Sequence, residues 1–451
     1  ETLGSMGVGP SCTCQELAPE APKRGKQSLD GGAAIGATSA SQPLKQRPCG
    51  RLACGASTTW LVSRGCVVRV RFTAAPAITP HGVEAPPALL PDVLRVPAKV
   101  IQVAAGEAHA LFLTSENGTR VFSLGNNEYG QLGLGDTLVH PEVGGQPWEV
   151  LGLRLSALVA DIACGGHVSM AISQRGDVWS WGRNEESGVL GLGVVPALCV
   201  PEPTPVSVLR GKLRAAHVAT SGWTAFCVSH LGAVYSWGGG LCGAHGQGHQ
   251  DNEPVAKVIR FFEGVGIFQV AAGTLHALAL GEKAQVFTWG RVVGCFGVGA
   301  QMQLTPKLID ALLGTRIVQV AAGGEHSLAL ADNGDVYAWG AHVAGALGKM
   351  DDTDWRDRYA LVHKADLLPG VPSEIACCRR QSAFLAVEGS VDDGKPKRPS
   401  AVWICGQGAQ PMDHIASQHE GKAMANHAGM SRTLEKPQGS RLQLSRVDIQ
   451  R

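Results

Sequence analysis

The sequence predicts an all-β chain folded as a seven-bladed β-propeller, with irregular N- and C-terminal extensions. Three observations predict it. Glycine stands out, with 59 copies and no three-residue period. A ten-residue pattern recurs seven times at steps of about fifty residues. Each copy is followed by a short β-branched and aromatic run that ends in Trp-Gly in the best copies. Glycine at this density, without the collagen period, means many tight turns and hence many short strands. A repeat near fifty residues built of short strands points to a propeller with one blade per copy.

In chain order the copies are "ACGASTTWLV" at Ala53, "AAGEAHALFL" at Ala104, "ACGGHVSMAI" at Ala163 and "ATSGWTAFCV" at Ala219. "AAGTLHALAL" at Ala271, "AAGGEHSLAL" at Ala321 and "ACCRRQSAFL" at Ala376 complete the set. Their third positions (Gly55, Gly106, Gly165, Ser221, Gly273, Gly323 and Cys378) lie 51, 59, 56, 52, 50 and 55 residues apart. The second halves repeat too: "RVFSLG" at Arg120, "DVWSWG" at Asp177, "AVYSWG" at Ala233, "QVFTWG" at Gln285, "DVYAWG" at Asp335 and the weaker "AVWICG" at Ala401. Between the halves, "SQRGD", "SHLGA" and "ADNGD" place glycine where a hairpin needs positive φ. After Trp-Gly come Gly-rich returns such as "NNEYGQLGLGD" at Asn126 and "RNEESGVLGLG" at Arg183. A sheet of this size cannot bury both faces alone, so neighbours in a closed ring must supply its core.

These units resemble the regulator of chromosome condensation repeat family over about residues 51–410. The resemblance implies a seven-bladed propeller, often closed by pairing segments from both chain ends. The first copy departs from the pattern, with Val70-Arg71 in place of Trp-Gly, and the last is degenerate as well. The resemblance also raises guanine nucleotide exchange on a Ran-type small GTPase. In the family that activity depends on a β-wedge inserted in one blade. The returns after Gly125, Gly182, Gly238, Gly290 and Gly340 carry no wedge, and the N-terminal arm is not strongly basic. No functional residue therefore transfers. Family members in mitochondria resemble assembly or translation factors, which places the mitochondrion ahead of cytosol, cytoskeletal structures and nucleus as the expected compartment.

His109, His276 and His326 occupy one repeat position, where the other copies have Thr58, Val168, Thr224 and Gln381. One residue per blade cannot converge on a metal, so each histidine is expected to pack within its own blade and hydrogen-bond locally. Cys54, Cys164 and Cys377 align with alanines and read as small core residues. Trp181, Trp237, Trp289 and Trp339 recur at one strand end and read as blade packing; Cys405 stands in their place in the last copy. "GGGLCG" at Gly238 matches G-x-G-x-x-G, but the Gly-rich stretch after it excludes the helix that a dinucleotide site needs. Cys242, His245, His249 and Asp251 are zinc-ligand types in that same return, which reads better as a solvated loop. The pair Cys12 and Cys14 is a weaker metal candidate still. No catalytic, metal or cofactor residue is nominated, and no cofactor is expected.

The best partner-binding candidate is the insertion Lys349–Tyr359. It sets Asp351, Asp352, Arg356 and Arg358 around Trp355, and Trp and Arg are common interface anchors. A second charged insertion runs from Val391 to Ser400. The 39 basic and 38 acidic residues leave a net charge of +1, so there is no strong nucleic-acid signal. No apolar run is long enough for a membrane span. The 13 cysteines, odd in number and scattered, argue for free thiols in a reducing compartment. The chain starts at Glu1, as a processed or partial product would. Residues 1–50 read as a low-complexity arm and 411–451 as a mildly basic tail, flanking the propeller at 51–410. The terminal "RLQLSRVDIQR" alternates apolar and polar residues, as a strand added to a partner's sheet would. The expected role is a non-enzymatic scaffold within a larger assembly, its partners being other protein subunits and, alternatively, a small GTPase.

Overall fold

The computed structural model describes residues 50–56, 58–72, 89–115, 118–141, 146–156, 158–184, 186–194, 197–293, 300–341, 359–364, 371–387, 399–406 and 445–448. Within these residues the chain forms seven four-stranded antiparallel sheets, each with its strands in sequence order. The blades span 52–94, 100–149, 159–205, 215–258, 267–308, 317–364, and 371–406 together with 445–448. Blade 3 shows the plan: Val159–Gly165, Val168–Ser173, Val178–Arg183 and Cys199–Pro205. Its second strand pairs on both sides, with Gly165 and Gly182 both opposite Val168. The glycines anticipated in the hairpin turns, Gly176, Gly232 and Gly334, have φ of +89°, +81° and +89°.

Antiparallel order sorts the loops onto two faces. The turn joining strands one and two and the return joining three and four lie on one side, called the return face. The turn joining strands two and three and the link to the next blade lie on the opposite side, the connector face. Each apolar cluster draws on two adjacent blades. One joins Leu328, Leu330 and Val336 of blade 6 to Ile375, Phe384 and Trp403 of blade 7. Another joins Leu52 and Leu61 of blade 1 to Leu385 and Ile404 of blade 7, which closes the ring. Burying side chains of this size stabilises by roughly 1.5–3 kcal/mol each, so no blade stands without its neighbours.

The last blade takes its fourth strand from the far C-terminus. Ser445–Asp448 pairs antiparallel with Pro399–Gly406, setting Val402 opposite Val447. The terminal strand expected to join a partner's sheet thus completes the chain's own ring. A three-stranded blade 7 would leave the Pro399–Gly406 edge unpaired. The N-terminal unit, Glu1–Gln42, lies outside the described residues. Among the described residues no helix is long and apolar enough to cross a membrane.

Candidate functional site

Several of the buried polar side chains stitch blade to blade. The repeat histidines are the clearest case, and here the expectation of bonding within one blade is corrected. His109 Nε2 lies 2.8 Å from Ser169 Oγ of the next blade. His276 reaches Ser327 at 2.9 Å, and His326 reaches Ser382 at 3.0 Å, each again one blade on. Ser169 Oγ donates onward to the Gln131 carbonyl at 2.8 Å, so the imidazole donates from Nε2. A cationic ring is costly there. Burial holds His109 down to about 3, and His276 and His326 down to about 4. The variation at this repeat position follows: histidine occurs where the next copy offers Ser169, Ser327 or Ser382. Thr58, Val168 and Thr224 precede copies that offer Ala110, Ala225 and Ala277.

A second stitch was missed by sequence reasoning. Four residues before each third-position residue stand Arg51, Gln102, Asp161, His217, Gln269, Gln319 and Glu374. Gln269 exchanges two bonds with the Val320 backbone of the next blade, both 3.1 Å. Gln319 does the same with Ile375, at 2.9 and 3.0 Å. Gln102 donates to Asp161 at 2.7 Å and to the Ile162 carbonyl at 3.1 Å. His217 bridges Asp161 and the Val270 carbonyl at 3.2 and 3.1 Å. Glu374 accepts the Leu52 amide at 3.0 Å across the closing seam. The three identical glutamines at one offset were the available signal.

The tryptophans are buried as expected, and they too reach across a seam. Trp181, Trp237 and Trp289 donate their indole N–H to the carbonyls of Gln131, Val189 and Ala244 in the preceding blade's return. Beside these indoles sit Gly133, Gly191 and Gly246, all at positive φ, where a Cβ would lie within 2.8 Å of the ring nitrogen. The Gly-rich returns are therefore packed against the next blade. The same holds for the return read as a solvated loop. His245 is buried, its Nε2 donating to the Asp251 carbonyl at 2.8 Å and its Nδ1 accepting the Gln247 amide at 3.2 Å. Burial lowers its pKa. Among the described residues no group of three or more His, Cys, Asp or Glu is placed to hold a metal.

What the stitching leaves for function is the crown of turns around the axis on the return face. Neighbouring turns are tied by backbone bonds, Ala56 N to Glu107 O, Glu107 N to Gly166 O, and Gly324 N to Arg379 O. Close approach sets their composition: a Cβ on Gly323 would fall 2.5 Å from the Cys378 carbonyl. On this frame Arg379 donates to Glu107 at 2.8 Å, passing over blade 1 from blade 7 to blade 2. His167 lies 3.8 Å from the same carboxylate and packs on Tyr129, whose ring carries the Arg183 guanidinium at 4.6 Å. Arg291 pairs with Glu325 at 2.7 Å. Trp223, on the next turn after His167, is 48 % exposed, and Arg380 is exposed. Trp, Tyr and Arg at the surface of a rigid frame suit protein recognition. Asp351, Asp352, Trp355, Arg356 and Arg358 lie outside the described residues, as do Val391–Arg398.

A family model for the RCC1-like domain matches residues 38–384. The ultraviolet-B receptor UVR8 of Arabidopsis thaliana is 34 % identical over 200 residues, 44 % of this chain and 43 % of the receptor. The mouse RCC1-like G exchanging factor-like protein is 30 % identical over 208 residues, 45 % of this chain and 43 % of that protein. The chain thus spans less than half the length of these curated relatives. Among solved structures, human WBSCR16 superimposes with a TM-score of 0.62 at 26 % identity, covering 75 % of this chain and 87 % of that one. Yeast RCC1 (Prp20), solved with Kap60, gives 0.60 at 20 % identity, covering 84 % and 86 %.

Proposed function

This chain belongs to the RCC1-like domain family, and we propose that it acts as a non-enzymatic docking propeller within a larger protein assembly. One observation carries the reading: the buried histidines and tryptophans bind neighbouring blades, while Trp, Tyr and Arg crowd the exposed crown of the return face. Partner contacts centre on Trp223, Arg380 and the Tyr129–Arg183 stack. The insertion with Asp351, Asp352, Trp355, Arg356 and Arg358 adds to them. It joins Ala341 to Tyr359, which are paired at the return-face end of blade 6. The 451-residue chain carrying Trp223→Ala and Arg380→Ala is expected to lose most of the proteins that cross-link to the wild type in native extract. An unchanged set overturns the reading.

The 30 % identity to a G exchanging factor-like protein, and the binding of Gsp1p by yeast Prp20p, support a second reading: nucleotide exchange on a small GTPase. Stimulated nucleotide release from a Ran-type GTPase, lost in the same variant, would assign that role instead.

A further inference from the structure

The connector face carries an uneven charge. At blades 5 and 6 acids outnumber bases: Glu263, Glu282, Asp310, Asp332 and Asp335 stand beside Arg260, Lys283 and Arg316, and Arg316 lies 3.5 Å from Asp332. At blades 3 and 4 the balance reverses. Arg175, Arg210, Lys212 and Arg214 are all exposed, against a single acid, Asp177. These residues belong to one continuous surface, because their backbones are bonded in a chain. Gln174 N donates to Leu158 O at 2.7 Å, Ala215 N to Gly176 O at 3.0 Å, and His230 N to Arg214 O at 2.9 Å. Gly176 leaves room for the Arg214 stem, which a Cβ there would meet at 2.5 Å, and Arg214 Nη2 donates to the Gln174 carbonyl at 3.3 Å. Two leucines flank the cations: Leu158 is 52 % exposed and Leu231 is 94 % exposed.

We infer that this surface binds an acidic protein segment that carries aliphatic side chains. The occupant follows from charge and shape. Arg210 Nε lies 3.9 Å from Asp177, and Arg175, Lys212 and Arg214 remain to attract an anion. Leu158 and Leu231 supply apolar contacts that a phosphate backbone would not use. A net charge of +1 gives the chain no general field for nucleic acid. The site lies on the face opposite the crown, so it stands or falls independently of the docking role proposed there.

The test is fluorescence anisotropy on the full chain with two probes: a labelled peptide of repeated Asp-Glu-Leu, and a DNA duplex of equal charge. The peptide is expected to bind, and to weaken as salt rises from about 0.05 to about 0.3 M. Arg175→Glu with Lys212→Glu should lower its affinity by about tenfold or more. The charge-matched pair Lys283→Glu with Arg316→Glu on blades 5 and 6 should change it by no more than about twofold. Leu231→Ser should weaken the peptide and leave the duplex unaffected. The proposal is overturned if neither probe binds, if both charge reversals act alike, or if the duplex binds tighter than the peptide with Leu231→Ser silent.

Discussion

The seams flanking blade 6 and the seam that closes the ring solve one problem in two ways. Between blades 5 and 6, and again between 6 and 7, a glutamine amide matches both the N–H and the C=O of the facing residue, and a neutral histidine meets a serine. At the closing seam Glu374 meets Leu52, 322 positions away in sequence. A carboxylate accepts the Leu52 amide but cannot donate to its carbonyl. Arg51 Nε lies 3.5 Å from the second carboxylate oxygen, an ion pair with poor hydrogen-bond geometry. The seams flanking blade 6 use neutral, fully matched pairs. The seam that joins the two ends of the ring relies on a buried charge.

The largest test of that contrast is acid. His276 and His326 have folded pKa values near 4, against about 6.5 unfolded. Their folded values are depressed, so between pH 6.5 and 4 the unfolded chain binds more protons, and stability falls as pH falls. Each should cost about 3 kcal/mol by pH 4. Neither adds further loss below that, while His109 continues to about 3. Urea unfolding followed by tryptophan fluorescence should show midpoints dropping steeply from pH 6.5 to 4. A flat profile would mean that the histidines are not neutral cement.

A smaller effect tests the pairing itself. Ser327→Ala should destabilise by about 2 kcal/mol, because it leaves a buried imidazole N–H without an acceptor. Adding His276→Val copies the apolar pair Val168 and Ala225 found between blades 3 and 4. The double variant should be more stable than the sum of the single effects predicts, with a coupling of about 1 kcal/mol, and it should titrate less steeply. Strict additivity would deny that the two residues form one unit.

The blade count, the hairpin glycines and the buried tryptophans were legible because they are local: each copy shows them without reference to another. The stitches were harder to see because they join unlike positions in successive copies. Read alone, His276 is one polar residue in an apolar strand. Set beside Ser327 one repeat later, it has a partner. The same comparison would have explained Val168 through Ala225, and would have singled out Gln102, Gln269 and Gln319. The crown was less legible still. Its residue types vary from blade to blade, and the Arg379–Glu107 pair spans two seams. The terminal strand was recognised as a strand, but not its destination. That depends on blade 7 having three strands of its own, which alternation in "RLQLSRVDIQR" cannot reveal.

The smallest expected effect is also the sharpest test of the contrast between seams. Burial raises the Glu374 carboxyl pKa, opposed by the Leu52 amide and by Arg51. A raised folded value means that its favourable contribution exists at acid pH and is lost as pH rises through it. Wherever the group is ionised it is therefore a burden on the closing seam. Glu374→Gln would give that seam the same donor and acceptor that Gln319 presents to Ile375. It should raise stability by about 1 kcal/mol where the wild-type carboxyl is ionised, with the gain shrinking as pH falls through the raised folded value and levelling off below about 4.5, the ordinary carboxyl value. The opposing contribution is the attraction to Arg51, whose side chain is 35 % exposed, so solvent screens most of it. A loss of stability at pH 7 would reverse the weighting: the ion pair, rather than the matched amide, would then be what holds the ring closed.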